Sequence, residues 1–279
     1  MIEKAPERGR MSQLLMKGER DLGAMISFDV RKEKHLLKNL KIDAGIFNGQ
    51  GITASGDFDN VKDFIGRISL KPKKISKNIT LFAGTSLLYG GLENSTKYVY
   101  SAVSVAGIKK VVVDSSQSNN GKVSSRKYYG IDAQIKNKIG FTELRGEFIT
   151  GKQVGTAFSS ETPSALLTVI DGYYNRYFNG AYFYLLQNIF SVKHQSLLKY
   201  DWYDPNTKIK GAEIGAKGSN FTMADIKYTT IGVGYVYYAT PNLKSIVYYS
   251  MPTNEKITLQ GATTNIADNV FTWLLQFRF

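Results

Sequence analysis

The sequence contains no cysteine, which excludes a disulfide framework and any metal site built on thiolates. Only two of the 279 residues are histidine, and the HExxH, GxSxG and P-loop motifs are missing. A serine and a histidine that meet only in the fold would escape such a search. Even so, we predict no enzymatic activity, no metal site and no cofactor.

Long apolar runs are also missing. No stretch of 18 or more apolar residues occurs, which excludes a helical membrane protein, although strands that send only alternate residues to lipid stay open. Residues 1–20 are charged throughout and lack the apolar core of a signal peptide. Because an exported protein needs one, we expect the true start to lie upstream and residues 1–20 to be the remnant of an outer loop.

What the sequence does have is aromatic residues, glycine and positive charge. Tyr and Phe number 18 and 15, Gly numbers 26, and the formal net charge is +13. Tyr and Phe favour strands, and Gly marks turns and bulges. The charge is compatible with simple solubility or with an anionic partner, such as nucleic acid, lipid headgroups or a permeating anion.

The strongest pattern is alternation in the last residues of the chain. Every second side chain is large and apolar, at Phe271, Trp273, Leu275, Phe277 and Phe279. The intervening positions include Gln276 and Arg278, so one face of the predicted strand is aromatic and the other polar. This is typical of the closing strand of a membrane barrel, and we interpret the five apolar residues as a C-terminal insertion signal.

Similar alternation recurs upstream and predicts about eleven strands. The clearest segments are 40–47, 64–71, 129–136 and 197–202, and weaker ones are 22–31, 79–90, 142–151, 177–189, 223–239 and 243–252. The connections alternate between short (32–38, 72–78, 137–140, 190–193, 240–242) and long (50–60, 91–125, 152–175, 204–222, 253–268). Short and long connections at opposite ends are typical of an antiparallel transmembrane β-barrel. We therefore predict an all-β chain, with 21–279 forming a single barrel domain.

Several stretches resemble the phosphate-selective porin O and P family, particularly its Bacteroidetes-type members. They are Glu19-Arg20-Asp21-Leu22-Gly23-Ala24, FDNVKDFIGRISLKP at 58–72, YYGIDAQ at 128–134, LRGEFITG at 144–151, KYDWYDPNTK at 199–208 and the terminal LLQFRF. The resemblance implies a 16-stranded barrel, usually trimeric, that conducts anions, with phosphate as one candidate. An odd count of eleven strands would then make this chain the C-terminal part of an N-terminally truncated barrel.

The candidate binding residues are basic side chains on the faces predicted to point inward. Those we select as pore-lining are Arg31, Lys41, Arg67, Arg145 and Lys199. The same faces carry almost as many carboxylates, so an ordinary mixed wall remains an alternative to anion selectivity. Lysines of the short turns, such as Lys34 and Lys73, either meet lipid headgroups or are solvated.

These observations favour a porin in the outer membrane of a Gram-negative bacterium that lets small polar or anionic solutes diffuse passively. Its predicted partners are membrane lipids, small anions or polar solutes, the barrel-assembly machinery and, by the resemblance, two further copies in a homotrimer. One alternative is a non-conducting outer-membrane barrel with a structural or adhesive role. A soluble protein that binds nucleic acid is disfavoured, because the basic residues are scattered rather than interleaved with aromatic ones.

Overall fold

The computed structural model of the protein describes residues 9–15, 20–30, 34–52, 54, 56–168, 171–261, 265 and 268–278. Within these ranges it is an all-β structure with thirteen strands, one α-helix of six residues and four short 3-10 turns. In chain order the elements are α1 (Arg10–Leu15), β1 (Gly23–Asp29), β2 (Leu40–Phe47), β3 (Asp63–Lys74), β4 (Ile79–Glu93), β5 (Val99–Val105), β6 (Ile108–Asp114), β7 (Val123–Asn137), β8 (Thr142–Thr156), β9 (Tyr173–Asn188), β10 (His194–Asp204), β11 (Tyr228–Thr240), β12 (Leu243–Asn254) and β13 (Val270–Phe277).

Eleven of the strands form one antiparallel sheet in the order β1-β2-β3-β4-β7-β8-β9-β10-β11-β12-β13. Each of them coincides with one of the eleven predicted segments, so the alternation located them correctly. The order follows the chain because each strand pairs with its predecessor through a single connection, the arrangement that needs the least loop closure. This confirms the predicted all-β class and a large antiparallel sheet.

The sequence prediction missed the hairpin of β5 and β6, which lies inside the long connection 91–125. Its two strands pair with each other, and the start of β5 also pairs in parallel with Tyr173 and Tyr174 of β9. The turn between them contains Ala106 and Gly107, both with positive φ. A two-residue turn of this kind suits the twist of a hairpin. The hairpin was overlooked because polar neighbours on both sides made the whole stretch look like a loop.

The described part of the sheet is open. β1 and β13 are its outer strands, and no ladder joins them among the described residues. The predicted closure into a barrel is therefore not observed. The separation into an outer-loop remnant at 1–20 and a single barrel domain at 21–279 stays a prediction.

The connections differ strongly between the two ends of the sheet. At one end, the turn end, the connections are 30–39, 75–78, 138–141, 189–193 and 241–242. At the other, the loop end, they are 48–62, 94–122, 157–172, 205–227 and 255–269. The predicted alternation of short and long connections is thus present in the structure. No helix in the described ranges combines the length and the apolarity needed to cross a bilayer.

Candidate functional site

The sheet has two faces of opposite chemistry, and we call them the apolar face and the polar face. Residues directly opposite each other in an antiparallel ladder point to the same side, so the register assigns every strand residue to one face. The apolar face carries at least one large, exposed hydrophobic side chain from each of the eleven strands: Ile26, Ile46, Ile68, Leu87, Ile131, Leu144, Phe183, Leu198, Ile231, Val247 and Trp273. An exposed apolar surface of this extent is unusual for a protein in water and marks an interaction surface.

The terminal strand follows the same rule. Phe271, Trp273, Leu275 and Phe277 lie on the apolar face, between 59 and 69% exposed, while Leu274 and Gln276 lie on the polar face. Phe279 lies outside the described residues. The placement fits a lipid-facing closing strand, but a role of these residues in insertion stays a prediction.

Four of the five predicted pore-lining residues share the polar face. Lys41 on β2, Arg67 on β3, Arg145 on β8 and Lys199 on β10 all lie there by register. They are spread over seven neighbouring strands of the sheet, from β2 to β10, rather than gathered at one point. The fifth, Arg31, lies outside the described residues.

Each of these four cations is paired with a carboxylate. Lys41 contacts Asp43 at 2.9 Å and Lys199 contacts Asp201 at 2.6 Å, with both partners on the same strand. Side chains two residues apart on a strand point to the same face, which explains why these i, i+2 pairs form. The polar face therefore carries compensated charge. The Lys199–Asp201 pair is buried, with side chains 2% and 6% exposed, whereas the Lys41 side chain is 40% exposed.

Arg67 is paired differently, because its carboxylate partner Asp132 lies two strands away on β7. The pair passes over β4 at Gly84, where a Cβ atom would overlap both charged groups. The absence of a side chain at this position is thus what allows an ion pair to span the intervening strand. The arginine side chain is one-third exposed, so the pair is accessible from the polar side.

Arg145 belongs to a network of its own. Its guanidinium lies 2.6 Å from Glu143, which also receives Lys136 at 3.4 Å and a hydrogen bond from Gln134. Between Arg145 and Lys199 lies the ring of Tyr184, whose centroid is 5.9 Å and 6.0 Å from the two cationic groups. Both cations lie near the outer limit of the distance at which a cation is attracted to an aromatic ring.

The helix α1 lies against the loop half of the polar face. Met11 and Leu15 are buried in a cluster with Leu88, Tyr128 and Phe178, all of which belong to that face. The sequence prediction missed this feature, since six residues are too few to show a helical period. If the polar face encloses a channel, α1 is an element inside it.

Two further ion pairs at the loop end were also missed. Arg126 of β7 contacts Asp63 of β3 and donates to the carbonyl of Gly49 at 2.7 Å, and the side chains of both charged residues are 1% exposed. Arg176 of β9 donates to Asp225 at 2.8 Å and to the carbonyl of Thr156 at 2.7 Å. These contacts attach the loops to the strands.

Extending the predicted alternation of 129–136 backward would have placed Arg126 on the inward face. Nothing in the sequence, however, identifies an aspartate 63 residues away as its partner. Within the described ranges, no group of three or more His, Asp or Glu side chains is arranged to hold a metal ion.

Comparisons with known proteins give a fold likeness at low identity. No family model matches the chain, and no curated protein matches it at a significant level. Among solved structures, it is similar to an anion-selective porin from Comamonas acidovorans, with 14% identity, a TM-score of 0.43, and 90% of this chain and 56% of that one covered. It is also similar to the TodX monoaromatic hydrocarbon channel in a deltaS2 mutant form, with 13% identity, a TM-score of 0.40, and 92% and 73% covered. The chain therefore spans just over half the length of the first of these proteins.

Proposed function

We propose that this chain forms the wall of an outer-membrane channel through which small polar or anionic solutes diffuse passively. The observation that carries the proposal is the opposition of the two faces. Eleven neighbouring strands of the sheet expose apolar side chains on one side, and on the other side β2, β3, β7, β8 and β10 carry ion pairs. Lipid suits the first side and water the second, because apolar groups leave water favourably and charges do not.

The length of the strands supports a membrane location. A tilted transmembrane strand needs about 9–11 residues, and β4, β7, β8 and β9 contain 15 or 16 residues each. The backbone of the two outer strands argues for closure in the membrane, since an open edge in lipid leaves unpaired N–H and C=O groups. We therefore propose that the sheet is an arc of a closed barrel.

The paired charges on the polar face indicate how selective the channel is. Each of Lys41, Arg67, Arg145 and Lys199 has a carboxylate within ion-pair distance, so these four described residues do not form the ring of one sign that strong selectivity requires. We expect anions, phosphate among them, to be favoured only weakly. That preference would come from the net charge of the whole chain, which is +13.

The test is insertion and conductance of the protein refolded into lipid vesicles and planar bilayers. We expect heat-modifiable migration on a gel, discrete conductance steps and a chloride-to-potassium permeability ratio slightly above one. Migration that is insensitive to heating, or a folded barrel that stays silent at all voltages, would contradict a channel.

A second candidate, a barrel whose lumen is blocked, is favoured by the position of α1 on the polar face. Met11 and Leu15 hold α1 in an apolar cluster, so the double variant Met11→Asp/Leu15→Asp should release it. If α1 narrows an open channel, conductance rises in the variant from a measurable value. If it blocks the lumen, the wild type is silent and only the variant conducts.

A further inference from the structure

A row of three lysines and two tyrosines crosses the apolar face toward the loop end. The register aligns Tyr89 of β4, Lys127 of β7, Lys152 of β8 and Tyr177 of β9 in one continuous line. Lys208, from the connection after β10, places its ammonium 4.8 Å from the centre of the Tyr177 ring. We call these five residues the lysine row.

The lysine row is electrostatically unusual because Lys127 and Lys152 face each other directly. Like charges in opposite positions of two strands destabilise a sheet. Neither lysine forms an ion pair within the described residues, nor does Lys208. This differs from the polar face, where the basic residues we selected are matched by carboxylates.

Within the described residues, the carboxylates nearest to the row on this side of the sheet form no ion pair with its lysines. Glu93 lies four residues beyond Tyr89 on β4. Asp204 lies opposite Asn179, two residues beyond Tyr177, and accepts the backbone N–H of Asn206 at 3.1 Å. Glu213 contacts Lys109 at 3.3 Å. The positive charge of the lysine row is therefore left for a ligand to neutralise.

The position of the row matches the boundary of a bilayer. Lys127 is ten residues from the turn end of β7 at Asn137, and Lys152 is ten residues from the turn end of β8 at Thr142. A tilted strand crosses the hydrocarbon in about 9–11 residues. The lysine row thus lies where lipid headgroups would be, and its tyrosines lie where interfacial aromatic residues are typical.

A groove of about 450 Å³ opens beside the row. Lys152, Tyr177 and Lys208 contribute to one side, and β5 contributes apolar side chains, among them Val99 and Val103, to the other. Lys109 of β6 also lines the groove, so apolar side chains of the hairpin lie beside several cations. Such a groove suits an amphiphile with a phosphorylated headgroup.

We propose that the lysine row and this groove bind the phosphates of a phosphorylated glycolipid in the outer leaflet. One phosphate lies between Lys127 and Lys152 and relieves their repulsion, and a second contacts Lys208. This inference rests on the proposed membrane location, with the loop end outward. It concerns the lipid side of the wall and is independent of whether solutes pass through.

The test uses the whole protein folded in neutral detergent, with diphosphoryl lipid A as the probe and its phosphate-free form as the matched lipid. The variant is Lys127→Gln/Lys152→Gln/Lys208→Gln. The control is Lys73→Gln/Lys74→Gln/Lys77→Gln, which removes three exposed lysines at the turn end. Each lysine near an anionic lipid surface contributes about fivefold in affinity, so we expect roughly a 100-fold loss in the variant and little change in the control.

The single variant Lys152→Gln gives a result that simple misfolding cannot produce. Without lipid it should melt at a higher temperature than the wild type, because one of two facing like charges is gone. With diphosphoryl lipid A it should gain less stability than the wild type. A Lys152→Gln protein that is no more stable without lipid and gains as much with it would overturn the proposal.

Three other outcomes also overturn it. One is an equal loss of affinity in the triple-lysine variant and in the turn-end control, and another is equal affinity for the phosphate-free lipid. The third is a rise in melting temperature with inorganic phosphate alone that equals the rise with diphosphoryl lipid A. Heat-modifiable migration is measured in parallel. If the wild type fails that measurement, the membrane location itself is wrong; if it passes and the lipid results fail, only the lipid site is wrong.

Discussion

Two ion pairs bridge the same strand, β4, and they differ chiefly in their surroundings. Near the loop end, Asp63 of β3 meets Arg126 of β7 above Gly90, with both side chains 1% exposed. Farther along β4, Arg67 of β3 meets Asp132 of β7 above Gly84, with the side chains 33% and 16% exposed. An ion pair that spans a glycine of the intervening strand is thus buried in one place and accessible in the other.

The difference shows why a charged residue on the polar face is not by itself evidence of a solute path. A buried pair that loses one partner leaves a charge without compensation, whereas an exposed pair is screened by water. Burial therefore separates the Asp63–Arg126 pair, which holds a loop, from the Arg67–Asp132 pair, which water can reach.

The largest expected effect follows from removing the two arginines separately. Arg126→Met should lower the free energy of unfolding by about 3–5 kcal/mol, because Asp63 is left buried and unpaired. Arg67→Met should lower it by about 1 kcal/mol or less. Urea unfolding from vesicles, followed by tryptophan fluorescence, measures both free energies. Equal decreases in the two variants would contradict the distinction between the buried and the exposed ion pair.

The two glycines provide a smaller, sterically based contrast. A Cβ at Gly90 would overlap the carboxylate of Asp63 and approach its Cα, so Gly90→Ala should cost about 1–3 kcal/mol. At Gly84 the overlapping atoms are the ends of the Arg67 and Asp132 side chains, which can move. Gly84→Ala should therefore lower the free energy of unfolding by less than Gly90→Ala in the same measurement. A larger decrease for Gly84→Ala would show that the side chains of the exposed pair cannot move aside.

The accessible pair should influence permeation more than stability. Arg67→Gln leaves Asp132 uncompensated on the polar face, so the reversal potential in a salt gradient should move toward that of a cation-preferring channel. Asp132→Asn is the matched control and should move it in the opposite direction. If neither substitution changes the reversal potential, this pair lies outside the conducting path.

The smallest effect concerns a carboxylate whose partners are neutral. Hydrogen bonds from the Ser116 hydroxyl and from Asn119 lower the pKa of Asp114, beside the β5–β6 hairpin, to about 2. Because the pKa is depressed in the folded state, its stabilisation is present above about pH 4 and is lost as pH falls toward 2. Protease cleavage of the hairpin should increase over that range in the wild type but not in Asp114→Asn, and identical pH profiles would contradict this role.

The sequence was most informative where a local rule applies. Alternation depends only on neighbouring residues, so it located all eleven strands of the main sheet and the faces of Lys41, Arg67, Arg145 and Lys199. Features that depend on distant residues were not predictable. Tertiary contacts between segments far apart in the chain determine the pairing of Asp63 with Arg126, the docking of α1 and the position of the β5–β6 hairpin.

The unequal strand lengths have a consequence for the mouth of the molecule. In the proposed membrane location, about ten residues of β4, β7, β8 or β9 would suffice to cross lipid, and about five more of each would continue past it on the loop side. Arg126 and Arg176 attach the loops to this part of the sheet. In the proposed membrane location, a solute that arrives from the loop side would therefore pass loops that buried ion pairs attach to hydrogen-bonded strands.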